Sequence, residues 1–340
     1  MKYLALGLAV GFAGCRIETA APAGGTTEAR SETPRGEVWV YTSMYRHVLD
    51  AIDPVLREAL PNVTVHWFQA GSEKVASRLE AELAAGGTSC DVLATSDPFL
   101  YQRFKREHRW LRYVSPNGVR TPRSLVDLDG EFAAIRVSTM VIAFAKGTPA
   151  PASFEALLGG EFADEVALGD PLTSGTAFTW AVALERLRGA EVFSRLRANK
   201  ARVAGGNAAV LQKVEGHEAR VGVLLLENAL AAQGKGSAIE IAWPSDGAVI
   251  IPGYAGILST TRNARGSQAV IDVLLGPKAQ EVIARLGDMH AVDPRVAGPR
   301  GTFDLEELLS RSQRVDEAFL ERGLSDGSRV KQIFSQAFSQ

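Results

Sequence analysis

The stretch VALGDPLTSGTAFTWAVALERL, residues 166–187, decides the fold. Val166 to Leu168 is a short apolar run suited to a buried strand. The chain turns polar at Thr173-Ser174-Gly175-Thr176, and Thr176 to Leu187 has helical periodicity, with Phe178, Val182 and Leu184 among its apolar residues. A buried strand that passes through a polar loop into a helix is the repeating unit of α/β architecture.

The same unit recurs on both sides. Glu37 to Tyr41 alternates like a strand, and Val63 to Phe68 reads as a second one. Ser72 caps a helix through Val75, Leu79 and Leu83. Asp91 to Ala94 is a short buried strand ending in Thr95-Ser96-Asp97-Pro98, and Ile135 to Ala145 is a long one. Val221 to Leu226 is a buried strand followed by a helix into Gly234. Ala248 to Leu258 is extended and interrupted by Pro252-Gly253, and helices such as Ser267 to Leu275 and Lys278 to Leu286 dominate from there. This spacing predicts a mostly parallel α/β fold.

The 340 residues are 46% hydrophobic and 22% charged, which is ordinary globular composition and long enough for two domains. A net charge of -2 leaves no electrostatic footprint for nucleic acid. The two cysteines are Cys15 and Cys90, so a core of this size is expected to hold without disulfides.

Met1-Lys2, an apolar run from Leu4 to Ala13 and then Gly14-Cys15 form a secretory signal. The run is too short to span a bilayer, which takes about 20 apolar residues. One reading is an ordinary signal peptide cut nearby. The other is a lipoprotein signal, because Phe12-Ala13-Gly14-Cys15 resembles the lipobox, with Phe12 where Leu is usual. The second reading makes Cys15 the lipidated first residue of an extracytoplasmic domain. Residues 16–36 are small, polar and rich in Pro and Gly, as a flexible tether is.

The usual enzyme signatures are absent from the sequence: there is no phosphate loop and no G-x-S-x-G elbow. His47, His66, His108, His217 and His290 lack metal-ligand spacing, and Cys90 beside a buried strand reads as inert. No catalytic residue, metal ligand or cofactor is assigned. The informative residues lie at strand ends, since ligands of open parallel sheets collect beyond them. Four segments turn polar there: Tyr41 to Tyr45, Ala70 to Glu73, Thr95 to Pro98 and Thr173 to Thr176. In the last, Ser174 and Thr176 offer hydroxyls, Gly175 admits close approach of backbone, and the next helix presents free N–H groups, which together suit an anion. A plain helix cap accounts for Ser174 equally well on its own.

The order of these pieces resembles the substrate-binding proteins of bacterial ABC importers, in the branch that includes ferric-ion and 2-aminoethylphosphonate binders. The resemblance runs from about Val38 to Asp293, through Val38-Trp39-Val40-Tyr41, Ala70-Gly71-Ser72-Glu73, Asp91-Val92-Leu93, Thr173-Ser174-Gly175-Thr176-Ala177, the stretch Asn207 to Asn228, Asp246-Gly247 and Pro252-Gly253. It implies an α/β, two-lobed type II periplasmic-binding-protein fold with a hinged interlobe cleft. Residues 1–15 are then a lipoprotein signal peptide, 16–36 a tether, 37–140 the first part of lobe 1, 141–250 lobe 2, and 251–340 the return of lobe 1 with C-terminal helices. The ligand-binding candidates are Ser43, Tyr45, Ser72, Ser96, Asp97, Ser174, Gly175, Thr176, Glu227, Asn228 and Tyr254. The implied partners are a small solute, a permease with its ATPase, and a membrane through the lipid anchor, with the protein itself a monomer.

Departures from the ferric pattern point to the ligand. Ferric binders of this type carry paired tyrosines where this chain has Glu227-Asn228, often a His where it has Tyr45, and a carboxylate near Ser96. The loop at Ser174 is intact, and in the phosphonate branch it holds the phosphonate. The expectation is an organic phosphate or phosphonate such as an aminophosphonate, with ferric ion and a bound anion as the alternative. Glu227 fits a cationic feature of the ligand, although a Glu opening a helix is favourable with the helix dipole alone. Asp246 and Tyr254 also suit surface turns. A thiaminase-like enzyme on this fold would need Cys90 and Glu227 together in the cleft, and a sensor shares the same sequence features as an importer component.

Overall fold

The computed structural model describes residues 1–2 and 33–339. The expected signal peptide, the lipidation at Cys15 and most of the tether lie outside the described residues. By its contacts the chain divides into Met1–Thr33 and Pro34–Gln340, and every element below belongs to the second unit.

The first elements are β1 (Gly36–Thr42), α1 (Arg46–Ala59), β2 (Val63–Gln69), α2 (Ser72–Ala84), β3 (Val92–Thr95), α3 (Pro98–Arg106), β4 (Trp110–Leu111) and the long β5 (Phe132–Ala145). Then follow β6 (Val166–Gly169), α4 (Gly175–Arg188), α5 (Val192–Ala198), β7 (Arg202–Ala204), α6 (Asn207–Glu215), β8 (Val221–Leu225), α7 (Leu226–Gly234) and β9 (Ile239–Ala242). The chain returns along β10 (Ala248–Leu258) and closes with α8 (Ala264–Leu274), α9 (Pro277–Gly287), α10 (Leu305–Arg311), β11 (Ser312–Gln313) and α11 (Glu317–Phe338). The strands expected from the sequence are present. The long one starts earlier than expected, at Phe132 rather than Ile135.

The strands form a continuous sheet in the order β2-β1-β3-β10-β5-β8-β6-β7. Parallel pairs, β1 with β2 and β3, and β6 with β7 and β8, lie on either side of the antiparallel pair β5 and β10. β5 pairs with β10 from Phe132 to Met140, and beyond Met140 with β8 and β9. β10 meets β3 only from Tyr254 onward. Two long strands thus cross between two parallel groups, and the register shift at Gly253/Tyr254 falls at the crossing.

Apart from half-buried Ala133, β5 is buried along its length, which explains its near-continuous apolar sequence. Arg136, Ser138 and Thr139 are the polar exceptions, each 2% exposed or less. α1 shows the ordinary surface pattern instead, burying Val48, Leu49, Ile52 and Leu56 on one face. α4 is buried from Gly175 to Glu185 because α11 covers its outer side. Gly323 and Gly327 of α11, four residues apart on one face, admit the rings of Phe99 from α3 and Phe178 from α4.

Candidate functional site

The loops after β1 and β3 are pinned together. Ser43 N donates to Ala94 O at 3.1 Å, Thr42 Oγ1 donates to the same carbonyl at 2.8 Å, and Ser96 N donates to Ser43 Oγ at 3.2 Å. This pinning sets two serine hydroxyls side by side. Beneath them lies Arg136, whose Nη2 donates to Ser43 Oγ at 3.2 Å and to Ser96 Oγ at 2.8 Å. Its Nε and Nη1 have no hydrogen-bond partner. Burial pulls the guanidinium below its usual pKa, and the Glu227 carboxylate acts in the other direction.

From the other parallel group, Ser174 is the N-cap of α4 and accepts from Ala177 N at 3.4 Å. Its Oγ lies 3.2 Å from Thr176 Oγ1, which accepts from Asn207 Nδ2 at 2.9 Å. Asn207 in turn accepts from Leu225 N at 3.2 Å, tying the start of α6 to the end of β8. A Cβ on Gly175 would meet Glu73 Oε1 at 3.3 Å, so the N-termini of α2 and α4 face one another. The N-caps of α2 and α6 are Gly71 and Gly206, so Ser72 is the first helical residue and not the cap expected from the sequence. The absence of a side-chain cap leaves the first-turn amides of both helices available to a ligand.

These groups enclose a cavity of about 390 Å³. Ser43, Tyr45, Ser72, Ser96, Ser174, Gly175, Thr176 and Glu227, all expected from the sequence, line it. Glu227 is 3% exposed; its Oε1 accepts from Ser138 Oγ at 2.7 Å, and its Oε2 has no partner. Burial pushes its carboxyl up to about 7, against the opposing pull of Ser138 and Arg136. The Tyr45 hydroxyl is also raised, first by burial and then by the Glu227 charge.

Three expected residues are elsewhere. Asn228 is off the wall and accepts from the Tyr45 hydroxyl at 3.2 Å. Asp97 caps α3, accepting from Leu100 N at 3.1 Å, and burial pushes its carboxyl up to about 6. Tyr254 is a core residue, 3% exposed, with its ring 5.4 Å from Tyr101 and 4.9 Å from Phe132. Adjacent strand residues face opposite ways: Gly253 faces Arg136, and Tyr254 faces the aromatic core.

Asp246 accepts from Phe154 N and Glu155 N, the turn role that needs no ligand. Cys90 is buried at the opposite end of β3 from Ser96, with its thiol pushed up by burial. It is not on the cavity wall, so the Cys–Glu pairing of the enzyme reading does not form.

Arg136, Ser138, Asn207 and Lys74 also line the cavity and were not among the expected ligand residues. Arg136 had a signal: one arginine inside the apolar run FAAIRVSTMVIAFA is a charge that must be buried.

The model of the family described as bacterial extracellular solute-binding protein matches residues 37–287. No curated protein matches. Among solved structures, the substrate-binding protein of an ABC transporter from Agrobacterium tumefaciens superposes with TM-score 0.78 at 17% identity, covering 90% of this chain and 95% of that one. The periplasmic binding protein AfuA from Actinobacillus pleuropneumoniae, solved with exogenous fructose 6-phosphate, gives 0.76 at 18%, covering 89% and 99%. Iron-bound HitA from Pseudomonas aeruginosa gives 0.76 at 16%, also covering 89% and 99%. At these identities the likeness shows the fold, and it bears out the two-lobed type II periplasmic-binding architecture.

Proposed function

The chain belongs to the bacterial extracellular solute-binding protein family, and on that premise we propose that it is the substrate-binding component of an ABC importer for a small organic phosphate or phosphonate. The reading is carried by one observation. A buried guanidinium without a carboxylate salt bridge, hydroxyls from both strand groups and uncapped helix N-termini surround one cavity. Such donors replace the water around an anionic oxygen cluster. Glu227 then reads a cationic feature at the other end of the ligand, as an aminophosphonate has.

The lobes of this reading meet where β5 and β10 cross, near residues 140 and 250, and close on the ligand by a hinge motion. The protein works as a monomer held to a membrane by lipid on Cys15, and passes its solute to a permease with its ATPase.

Ferric ion with a bound anion is the second reading, favoured by the likeness to iron-bound HitA. Ferric ion needs several anionic oxygens at one point. Among the described residues no group of three His, Cys, Asp or Glu side chains is placed to hold a metal.

A thermal-shift panel tests the two readings: 2-aminoethylphosphonate, its amine-free analogue ethylphosphonate, fructose 6-phosphate, ferric citrate, thiamine and spermidine. A true ligand at a hundredfold excess over its Kd stabilises the protein by about 2.7 kcal/mol. The phosphoryl compounds are expected to shift the transition, and Glu227→Gln is expected to weaken the aminophosphonate more than ethylphosphonate. A coloured stoichiometric ferric complex, with no response to phosphoryl compounds, overturns the proposal.

A further inference from the structure

Arg136 and Gly253 are cross-strand partners in β5 and β10, and the arginine side chain lies over its partner. A Cβ on Gly253 would sit 2.6 Å from Arg136 Cγ and 2.9 Å from both Cζ and Nη1. Contacts that short do not occur, so any side chain at 253 displaces the guanidinium. The β10 register shifts immediately after this residue. Arg136 is 2% exposed, and its hydrogen bonds go to Ser43 and Ser96.

We infer that Arg136 sets the charge selectivity of the cleft through the hydroxyls of Ser43 and Ser96, and that Gly253 is the positioning residue that seats it. The inference rests on the anion-binding reading above and names the end of the cavity that takes the anion. Both serine oxygens accept from the guanidinium, and Ser43 also accepts from Ser96 N. A hydroxyl whose oxygen is engaged by donors keeps its proton to give. A cationic donor behind it strengthens that proton as a donor. The wall therefore presents two hydroxyl protons backed by a positive charge. Phosphoryl or carboxylate oxygens satisfy them, whereas an ammonium would face the like charge of the guanidinium behind them. The unpartnered carboxylate oxygen of Glu227 is an acceptor on the same cavity, near enough for its charge to act on Arg136.

Calorimetric titration with 2-aminoethylphosphonate and with ethylphosphonate tests the inference on wild type, Arg136→Met, Arg136→Lys, Gly253→Ala and the Gly253→Ala/Arg136→Met double variant. Arg136→Met is expected to weaken both ligands tenfold or more, and Arg136→Lys to recover part of that loss by restoring charge. Gly253→Ala is expected to weaken both tenfold. The double variant is expected to bind no worse than Arg136→Met, because the alanine methyl then has no guanidinium to displace. Multiplying losses in the double variant, or undiminished binding in either single variant, overturns the inference. Should Arg136→Met fail to fold, Ser43→Ala/Ser96→Ala carries the same test, and its full affinity would be the overturning result. Ser174→Ala separates the two levels. Binding lost there but kept in Arg136→Met rejects this inference and leaves the anion reading standing. No binding of either ligand by wild type rejects the reading itself.

Discussion

The Tyr45 hydroxyl donates to Asn228 Oδ1 at 3.2 Å, joining the N-cap of α1 in one strand group to the first turn of α7 in the other. On the hinged reading proposed above, opening parts the two strand groups and breaks this bond. A neutral hydrogen bond contributes about 0.5–1.5 kcal/mol net. Tyr45→Phe should therefore speed dissociation of bound ligand roughly two- to tenfold with little change in Tm. Surface plasmon resonance reads the dissociation rate directly. An unchanged rate would show that the two groups already part in the bound state.

Ser174 has two duties that can be separated. It caps α4 through a long 3.4 Å bond to Ala177 N, and it lines the cavity. Loss of the cap costs about 1 kcal/mol of stability. Loss of a charge-assisted bond to an anion costs about 1.5–3 kcal/mol of binding. Ser174→Ala should raise Kd tenfold or more while lowering Tm only slightly. A lowered Tm with unchanged Kd would leave the residue a helix cap alone.

Burial lifts Glu227 to about 7 and Asp97 to about 6, so the folded chain holds protons that the unfolded chain has lost. Unfolded carboxyls titrate near 4. Between about pH 4 and 7 the native state binds more protons, and stability falls as pH rises through that window. For Glu227 the change is on the order of 3 kcal/mol. His290, held below its usual pKa by burial, works the other way near pH 6. Comparison with Glu227→Gln removes that background. Urea midpoints of wild type should drop between pH 5 and 8 by more than those of the variant. Parallel curves for the two proteins would place the Glu227 proton outside the folding equilibrium.

Strand-end residues were legible in the sequence because an apolar run that turns polar marks both the end of a strand and the crevice beyond it. Ser43, Ser96, Ser174 and Glu227 follow that rule and line the cavity. Asp97 follows it too, but its carboxylate is spent on the first turn of α3, and no local pattern distinguishes a capping Asp from a ligand Asp. Tyr254 was misplaced because strand alternation had to be phased on Gly253, whose role depends on a side chain in another strand. Arg136 and Asn207 act through residues distant in sequence, Ser96 and Thr176, so their parts appear only once β5 and α6 are placed. The C-terminal helices were expected, but not that one of them packs on both α3 and α4.

That helix gives the last prediction. α11 rests Gly323 on Phe99 of α3 and Gly327 on Phe178 of α4, and the two rings meet edge-on at 5.2 Å. Glu185 of α4, 4% exposed, receives Arg322 and Arg329 from the same helix, each at 3.0 Å. The helix thus holds α3, which follows Ser96, and α4, which follows Ser174. Replacing a helical Gly with Ala gains about 1 kcal/mol in propensity. Overpacking a closed core costs about 1–3 kcal/mol. At Gly327 the new Cβ would lie 2.9 Å from Phe178 Cζ, a clash that a small ring shift relieves, so the two effects nearly cancel. At Gly323 it would lie 1.9 Å from Phe99 Cε1, well inside the ring's contact distance, so overpacking wins. Gly323→Ala should lose stability in urea titration, and Phe99→Ala/Gly323→Ala should lose less than the sum of its single changes. The displaced Phe99 lies three residues beyond Ser96, so ligand affinity should fall with stability in Gly323→Ala and hold in Gly327→Ala. Equal stability of the two single variants would show that α11 yields at Gly323 and does not fix the spacing of α3 and α4.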